Sequence, residues 1–123
     1  MSTLYTDLLV WQKAMDLVDE IYAIAKRLPK EELYALSDQM RRAAVSVPSN
    51  IAEGHKRNSN KDFKHFLSIS NGSVAELETQ LNIAIRQNMI SKEDAEEALV
   101  LCDEVSRMLY SFIQRLDTPS LEL

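Results

Sequence analysis

The side chains best suited to covalent chemistry in this 123-residue sequence are one cysteine, Cys102, and two histidines, His55 and His65. A catalytic cysteine needs a lowered pKa and access to solvent. Cys102 instead falls on an apolar helical stripe, where a thiol behaves as a small apolar side chain. The two glycines are isolated, so the sequence holds no glycine-rich phosphate loop. These observations predict a protein that is not an enzyme and needs no cofactor.

A metal centre of the kind found in helical bundles would need Glu-x-x-His pairs and further inward-facing carboxylates. The nearest match is Asp62-x-x-His65, which lies at a predicted helix start. Both histidines lie in a polar stretch of sequence, which favours surface positions over metal ligation. We therefore expect no metal site.

The remaining candidate chemistry is electrostatic and lies between residues 41 and 65. This segment holds six Lys and Arg residues and two Asp and Glu residues, a net charge of +4 without its histidines, in a chain whose net charge is −5. Basic side chains of this kind can neutralise phosphates. The predicted nucleic-acid or partner-binding residues are Arg41, Arg42, Asn50, Glu53, Lys56, Arg57, Lys61 and Lys64.

Helical geometry places most of these side chains on one stripe. At 100° per residue, the polar and charged positions from 42 to 57 fall opposite the apolar residues Met40, Val47 and Ile51. The two lysines that follow the turn extend the stripe. The functional interpretation is that this basic face binds RNA or an RNA-associated protein.

Two other interpretations of the basic stripe stay open. It could be an ordinary solvated face, on which Glu53 pairs with Lys56 and Arg57 for roughly 0.2–0.5 kcal/mol each. It could also belong to a protein–protein scaffold whose basic face meets an acidic partner. The spacing of the aromatic residues favours core packing over base stacking for Trp11 with Tyr22 and for Phe63 with Phe66.

The elements that position these residues are predicted to be helices. With two glycines and three prolines, the chain lacks the turn residues that a β-rich domain needs. Apolar residues recur at alternating spacings of three and four, which predicts helices over approximately residues 7–28, 30–57, 60–88 and 92–116. Since the connections are short, we expect an all-α, antiparallel up-down-up-down four-helix bundle, formed as one domain by residues 1–123.

Local signals predict where these helices begin and end. Ser59 with Asp62, and Ser91 with Asp94, have the spacing of capping boxes for the third and fourth helices. The other predicted signals are a Thr6 cap, Pro29 at the start of the second helix, and a stop at Asp117-Thr118-Pro119.

Two residues interrupt the pattern of the second helix. Pro48 removes one backbone hydrogen bond at a cost of about 3 kcal/mol, which predicts a kink. Gly54 is a poor helix former, so the helix is predicted to end there or to fray through residues 55–57.

Two of the predicted helices have apolar arcs wider than a single core stripe requires. The extra positions are Val10, Leu17 and Ile24 in the first helix and Val45, Pro48 and Ala52 in the second. A solvent-facing apolar shoulder often marks a subunit interface, which predicts a homo-oligomer. The alternative is that the four-helix core is simply broad.

The sequence also carries expectations about location. No apolar run approaches the roughly 20 residues that a membrane span needs. The first 20 residues lack the features of a secretory signal, and a single cysteine cannot form an internal disulfide. We therefore expect a cytoplasmic protein that does not associate with membranes.

Two blocks between Gln39 and Leu81 form a specific pattern: Gln39-x-Arg41-Arg42-Ala43 with Ser46 and Asn50-Ile51-Ala52-Glu53-Gly54, then Phe66-Leu67, Gly72-Ser73, Glu76-Leu77 and Gln80-Leu81. The pattern extends to Trp11–Ala14 and Ile21-Tyr22, and so covers most of the chain. In these residues the sequence resembles the 23S rRNA intervening-sequence protein family.

This resemblance implies a bacterial four-helix bundle that assembles into a pentameric ring and has no enzymatic activity. A similar fold occurs in the accessory protein of diversity-generating retroelements, which binds a reverse transcriptase and nucleic acid. Arg41, Arg42, Asn50, Glu53 and Gly54 match the family signature. Asn50 and Glu53 could orient the neighbouring arginines and Gly54 could permit a close approach, so packing and binding roles both stay open.

Overall fold

Four helices make up most of the computed structural model, which describes residues 4–117. They are α1 (Leu9–Arg27), α2 (Leu36–His55), α3 (Asn60–Arg86) and α4 (Lys92–Asp117). Each helix packs against the next in sequence, and α1 also packs against α4. Within the described residues, no Cα atom of α1 lies within 8 Å of one in α3, and none of α2 lies within 8 Å of one in α4. No strand occurs within this part of the chain. The predicted all-α four-helix bundle is confirmed.

Ion pairs between helices show how the bundle closes. Lys13 near the start of α1 pairs with Glu104, and Arg27 at the end of α1 pairs with Asp94 near the start of α4. The two pairs run in opposite directions along the two helices. Helices α1 and α4 are therefore antiparallel, as an up-down-up-down bundle requires.

One hydrophobic core runs through the middle of the bundle. The predicted stripe of α3 is buried along its whole length: Phe63, Leu67, Ser70, Val74, Leu77, Leu81 and Ala84. Two buried serines, Ser37 and Ser70, donate hydrogen bonds to the carbonyl oxygens of Ala25 (3.2 Å) and Val47 (2.8 Å). These bonds satisfy the hydroxyl groups and tie α2 to α1 and α3.

The apolar shoulder predicted on α1 belongs to this core. Val10, Leu17 and Ile24 are 3%, 0% and 2% exposed, so for α1 the broad-core alternative is the one observed. Trp11 and Val18, which continue the three-and-four spacing of Ala14 and Ile21, lie half-buried against this core. The reason is that α1 packs against both α2 and α4, which requires an apolar arc wider than one stripe.

The start of α1 differs from the prediction. Residues Tyr5–Asp7 form a 3-10 turn, and the helix begins at Leu9 rather than at residue 7. No side chain caps the helix, and the backbone carbonyl of Thr6 instead accepts a hydrogen bond from Gln12 Nε2 at 2.9 Å. Tyr5 packs edge-on against Trp11, which holds the turn against the helix.

The start of α2 also lies later than predicted. Residues Lys30–Glu32 form a 3-10 turn after Pro29, and α2 begins at Leu36. Ala35, with φ −122° and ψ −104°, interrupts the helical backbone between the two elements. The buried hydrogen bond from Ser37 to the end of α1 places the first turn of α2, and this contact is not visible in the local sequence.

The middle and end of α2 are continuous. The helix continues through the buried Pro48 and ends at His55, one residue after Gly54. The kink at Pro48 stays a prediction. Gly54 is buried against α3, where a Cβ atom would lie 2.7 Å from Phe66 Cβ and 3.0 Å from Phe63 Cδ1. The absence of a side chain at Gly54 therefore permits close contact between α2 and α3.

The predicted N-terminal caps of α3 and α4 are confirmed, whereas the predicted Thr6 cap of α1 is wrong. Ser59 Oγ accepts a hydrogen bond from the Asp62 backbone N–H, and Ser91 Oγ accepts one from that of Asp94, each at 3.1 Å. Helix α3 ends at Arg86, two residues before the prediction, and α4 ends at Asp117. The other residues of the predicted stop, Thr118 and Pro119, lie outside the described residues. None of the described helices is long and apolar enough to cross a membrane.

Replacing each of the two glycines with alanine is predicted to change the free energy of unfolding in opposite directions. Gly54→Ala must displace Phe66 or Phe63, at an overpacking cost of about 1–3 kcal/mol. Gly72 lies exposed in α3, and a Cβ added there would have no neighbouring atom within 4 Å, so Gly72→Ala should stabilise the protein by about 0.5–1 kcal/mol through helix propensity. Urea unfolding of the two variants measures both signs. A stabilised Gly54→Ala variant would contradict the close α2–α3 contact.

Cys102 is predicted to be inert in the folded protein. The residue is fully buried, and this burial, reinforced by the negative charge of Glu78, raises the pKa of its thiol from 9.0 to about 12. Ellman's reagent at pH 8 should label the unfolded chain and leave the native protein unmodified.

The raised pKa of Cys102 also predicts a pH-dependent stability. Because the unfolded chain loses the thiol proton first, the Cys102 thiol should lower the free energy of unfolding as the pH rises from 9 to 12. Cys102→Ala should lack this contribution. Urea unfolding from pH 9 to 12 compares the two proteins, and a difference in their free energies of unfolding that does not change with pH would contradict the pKa shift.

Candidate nucleic-acid interface

A surface groove of about 570 Å³ runs along the outward face of α2. Tyr22 of α1 forms one side, and α2 contributes the rest of the lining from Asp38 to Glu53. Four of the eight predicted site residues line this groove together: Arg41, Arg42, Asn50 and Glu53. We call it the α2 groove.

Arg41 has the most distinctive surroundings in the α2 groove. Its guanidinium carbon lies 5.9 Å from the centre of the Tyr22 ring, a cation–π contact. No carboxylate of residues 4–117 lies within 4.0 Å of the Arg41 guanidinium. This cation is therefore held beside the groove without being neutralised by an ion pair.

The other arginines of α2 make ion pairs within their own helix. Arg42 Nε lies 3.0 Å from Asp38 Oδ2, and Arg57 Nη2 lies 3.2 Å from Glu53 Oε2. The predicted Glu53–Arg57 pair is thus present. Both pairs join exposed side chains, with 80% of the Arg42 side chain open to solvent. Exposed pairs of this kind contribute at most about 1 kcal/mol, so they can exchange for another anion.

Asn50 does not orient the arginines, which corrects the role suggested for it. Its Nδ2 donates hydrogen bonds to the backbone oxygen (2.8 Å) and hydroxyl oxygen (2.9 Å) of Ser46. The Ser46 hydroxyl is in turn 2.8 Å from that of Ser73 on α3. Asn50 therefore belongs to a polar chain of contacts that joins α2 to α3, with one edge in the groove.

The cations beyond the α2 groove do not continue it as one stripe. Lys56 Nζ lies 6.0 Å from the Tyr5 ring centre, and the Arg57 guanidinium lies 4.7 Å from that of Phe66. Lys64 pairs with Asp117 at the end of α4, and Lys61 is exposed. Because residues 56 and 57 lie past the end of α2, the side chains separate toward different neighbours.

Helix α1 contributes a second, apolar groove of about 310 Å³ next to the first. Val45 and Ser49 of α2 line both grooves, so the two are continuous. The apolar side chains from the N-terminal turn and helix α1 are Tyr5, Trp11, Met15 and Val18. We call it the α1–α2 groove.

One aromatic residue beside these grooves was misassigned from the sequence. Tyr22 is 37% exposed, although it was predicted to pack in the core, whereas Trp11 is half-buried and packs against the core as predicted. Phe63 is buried as predicted, and Phe66 is half-buried. Tyr22 falls one residue after the core position Ile21, off the three-and-four spacing, and this offset was the signal for its exposure.

The histidines lie apart from any metal-binding group. His55 is half-buried and packs edge-on against Phe63, with 5.8 Å between the ring centres, while His65 is exposed. Between residues 4 and 117, no three His, Cys, Asp or Glu side chains are grouped so that they could hold a metal ion.

Comparison with known proteins connects this fold to a family. A search of curated proteins finds no match. The chain is similar to a crystal structure from Bacteroides thetaiotaomicron, described as a protein of unknown function from the S23 ribosomal protein family, with a TM-score of 0.80 and 27% sequence identity. The match covers 86% of this chain and 99% of that one. The family model described as 23S rRNA-intervening sequence protein matches residues 6–111, and the chain belongs to that family.

Proposed function

We propose that this protein is a non-enzymatic binding module of the bacterial cytoplasm that binds RNA, or an RNA-associated protein, through the cations of the α2 groove. The observation that carries the proposal is Arg41, a cation without a carboxylate partner in the described chain, whose guanidinium carbon lies 5.9 Å from the centre of the Tyr22 ring at the groove wall. A guanidinium presents five N–H donors in a planar fork, and no ion pair of residues 4–117 occupies those of Arg41. Those donors suit the oxygens of a phosphate.

Arg42 supports the same role as an exchangeable cation of the α2 groove, where it pairs with Asp38 one helical turn earlier. Arg57 lies past the end of α2 and over Phe66, but its exposed pair with Glu53 can exchange in the same way. Since such exposed pairs are weak, a phosphate can replace the carboxylate at little cost. Phosphate contacts of this kind give affinity that does not depend on nucleotide sequence.

Self-association through the α1–α2 groove is part of this proposal. Met15 and Val45 are 39% and 42% exposed on its walls, which leaves apolar surface for a second copy to cover. The family resemblance favours a pentamer. Because this groove is continuous with the α2 groove, each interface would bring cations of different subunits onto one surface and raise the apparent RNA affinity.

A protein–protein scaffold without nucleic-acid binding is the second candidate function. It is favoured by two carboxylates of the α2 groove, Asp38 and Glu53, each of which already neutralises an arginine. An acidic chain with a net charge of −5 also repels a polyanion at long range. The two candidates differ in whether RNA binds at low salt.

The RNA proposal predicts different effects for two matched arginines. Arg42 and Arg107 each pair through Nε with an aspartate one helical turn earlier, at 3.0 Å, and each side chain is 80% exposed. Arg42→Ala should weaken binding of a fluorescein-labelled RNA hairpin about fivefold, or about 1 kcal/mol for a lost charged contact. Arg107→Ala on α4 should leave binding unchanged. Fluorescence anisotropy over a series of salt concentrations measures both.

The salt series also separates phosphate contacts from other effects. For each phosphate contact removed, the slope of log affinity against log salt should fall by roughly 0.7–0.9. Arg41→Ala should therefore flatten the slope as Arg42→Ala does. Equal losses for Arg42→Ala and Arg107→Ala would show unspecific attraction, and no RNA binding at low salt would leave the scaffold function.

The self-association proposal predicts a loss of mass for a charge placed in the α1–α2 groove. Met15→Glu should shift the light-scattering mass from an oligomer to a single chain, because a buried unpaired carboxylate strongly destabilises an interface. Ile69→Glu is the matched control, since Ile69 is 41% exposed on α3 and lines neither groove. A wild-type mass of one chain, or dissociation by Ile69→Glu alone, would contradict this interface.

A further inference from the structure

A third groove, of about 570 Å³, lies between α3 and α4 and shares no residue with the two grooves described above. Its floor is apolar and consists of Ile85 from α3 with Leu99 and Val100 from α4. Val100 keeps 56% of its surface exposed. An exposed apolar residue in the lining of a groove is suited to contact with another apolar side chain.

Carboxylates of α4 lie beside these apolar residues. Glu93, Glu96 and Asp103 line the groove, with Lys92 as its single basic residue. On α4, the positions 93, 96, 100 and 103 follow one another at spacings of three, four and three. They therefore form one stripe, on which the exposed valine lies between acidic residues.

Two of these three carboxylates, those of Glu93 and Glu96, form no ion pair within residues 4–117. Asp103 pairs with Arg107, but no Lys, Arg or His of residues 4–117 lies within 4.0 Å of the carboxylates of Glu93 or Glu96. The helix dipole favours acids only in the first turn of α4, which includes Glu93. Glu96 lies beyond that turn. Within the described residues, therefore, no ion pair neutralises Glu93 or Glu96.

We propose that the α3–α4 groove docks a basic amphipathic helix of a partner protein. An apolar stripe on that helix would cover Val100 and its neighbours, and Lys or Arg residues beside the stripe would pair with Glu93 and Glu96. From Glu93 to Asp103, α4 rises about 15 Å, which is the length of about three turns of a docked helix. The acidic rim repels nucleic acid, so this surface is distinct from the proposed RNA interface.

The test uses an amidated 18-residue peptide built only of Leu and Lys, with the leucines at helical spacing along one face. The control peptide has the same composition with scrambled leucines. The ¹⁵N-labelled 123-residue protein should bind the amphipathic peptide at one saturable site, with amide shift changes concentrated in the groove. The scrambled peptide should bind at least tenfold more weakly, because it cannot place apolar side chains on one face.

Matched variants locate the site. Val100→Lys should weaken peptide binding at least tenfold, whereas Ile83→Lys, which adds the same charge at a 43% exposed position of α3 outside the groove, should change it less than twofold. Glu93→Gln combined with Glu96→Gln should weaken binding and reduce its dependence on salt.

Three results would overturn the proposal. The first is equal binding of the two peptides, which indicates attraction by net charge alone. The second is an equal effect of Val100→Lys and Ile83→Lys. The third is a change in the amide shifts of the groove when the protein concentration is raised without peptide. Such a change would show that a second copy of this chain binds in the groove.

Discussion

The close approach of α2 and α3 is the constraint on which the rest of the structure depends. At Gly54 the two helices are so near that a Cβ would lie 2.7 Å from Phe66 Cβ. About two turns earlier in α2, the Ser46 hydroxyl contacts that of Ser73 on α3, and Ser70 donates a hydrogen bond to the Val47 carbonyl oxygen. Small residues permit this approach, and their hydrogen bonds fix how α2 is rotated about its axis.

That rotation decides which residues of α2 reach solvent. With Ser46 turned toward α3, Asn50 is occupied by hydrogen bonds to Ser46, and Arg41 and Arg42 lie along the outward groove. The residues of this region that carry the family resemblance therefore have two kinds of role. Asn50 and Gly54 join helices, while Arg41 is placed against Tyr22 with its charge available to a ligand.

Opposite charges lie on different parts of the bundle. The segment 41–65 carries a net +4, and residues 91–123 carry three basic and eight acidic residues, a net −5. Ion pairs between helices use some of these charges, as between Arg27 and Asp94. Arg41 on one groove and Glu93 and Glu96 on another take no part in the ion pairs of residues 4–117, which gives the bundle two surfaces suited to ligands of opposite charge.

The amino-acid sequence by itself determined the helical fold, because alternating three-and-four spacing and the Ser59 and Ser91 caps are local signals that the structure confirms. The family signature was equally readable. Only the tertiary structure decided that Leu17 belongs to the core, that Tyr22 is exposed beside Arg41, and where α2 begins. These outcomes depend on which helices meet and at what rotation, and contacts between distant residues set that geometry.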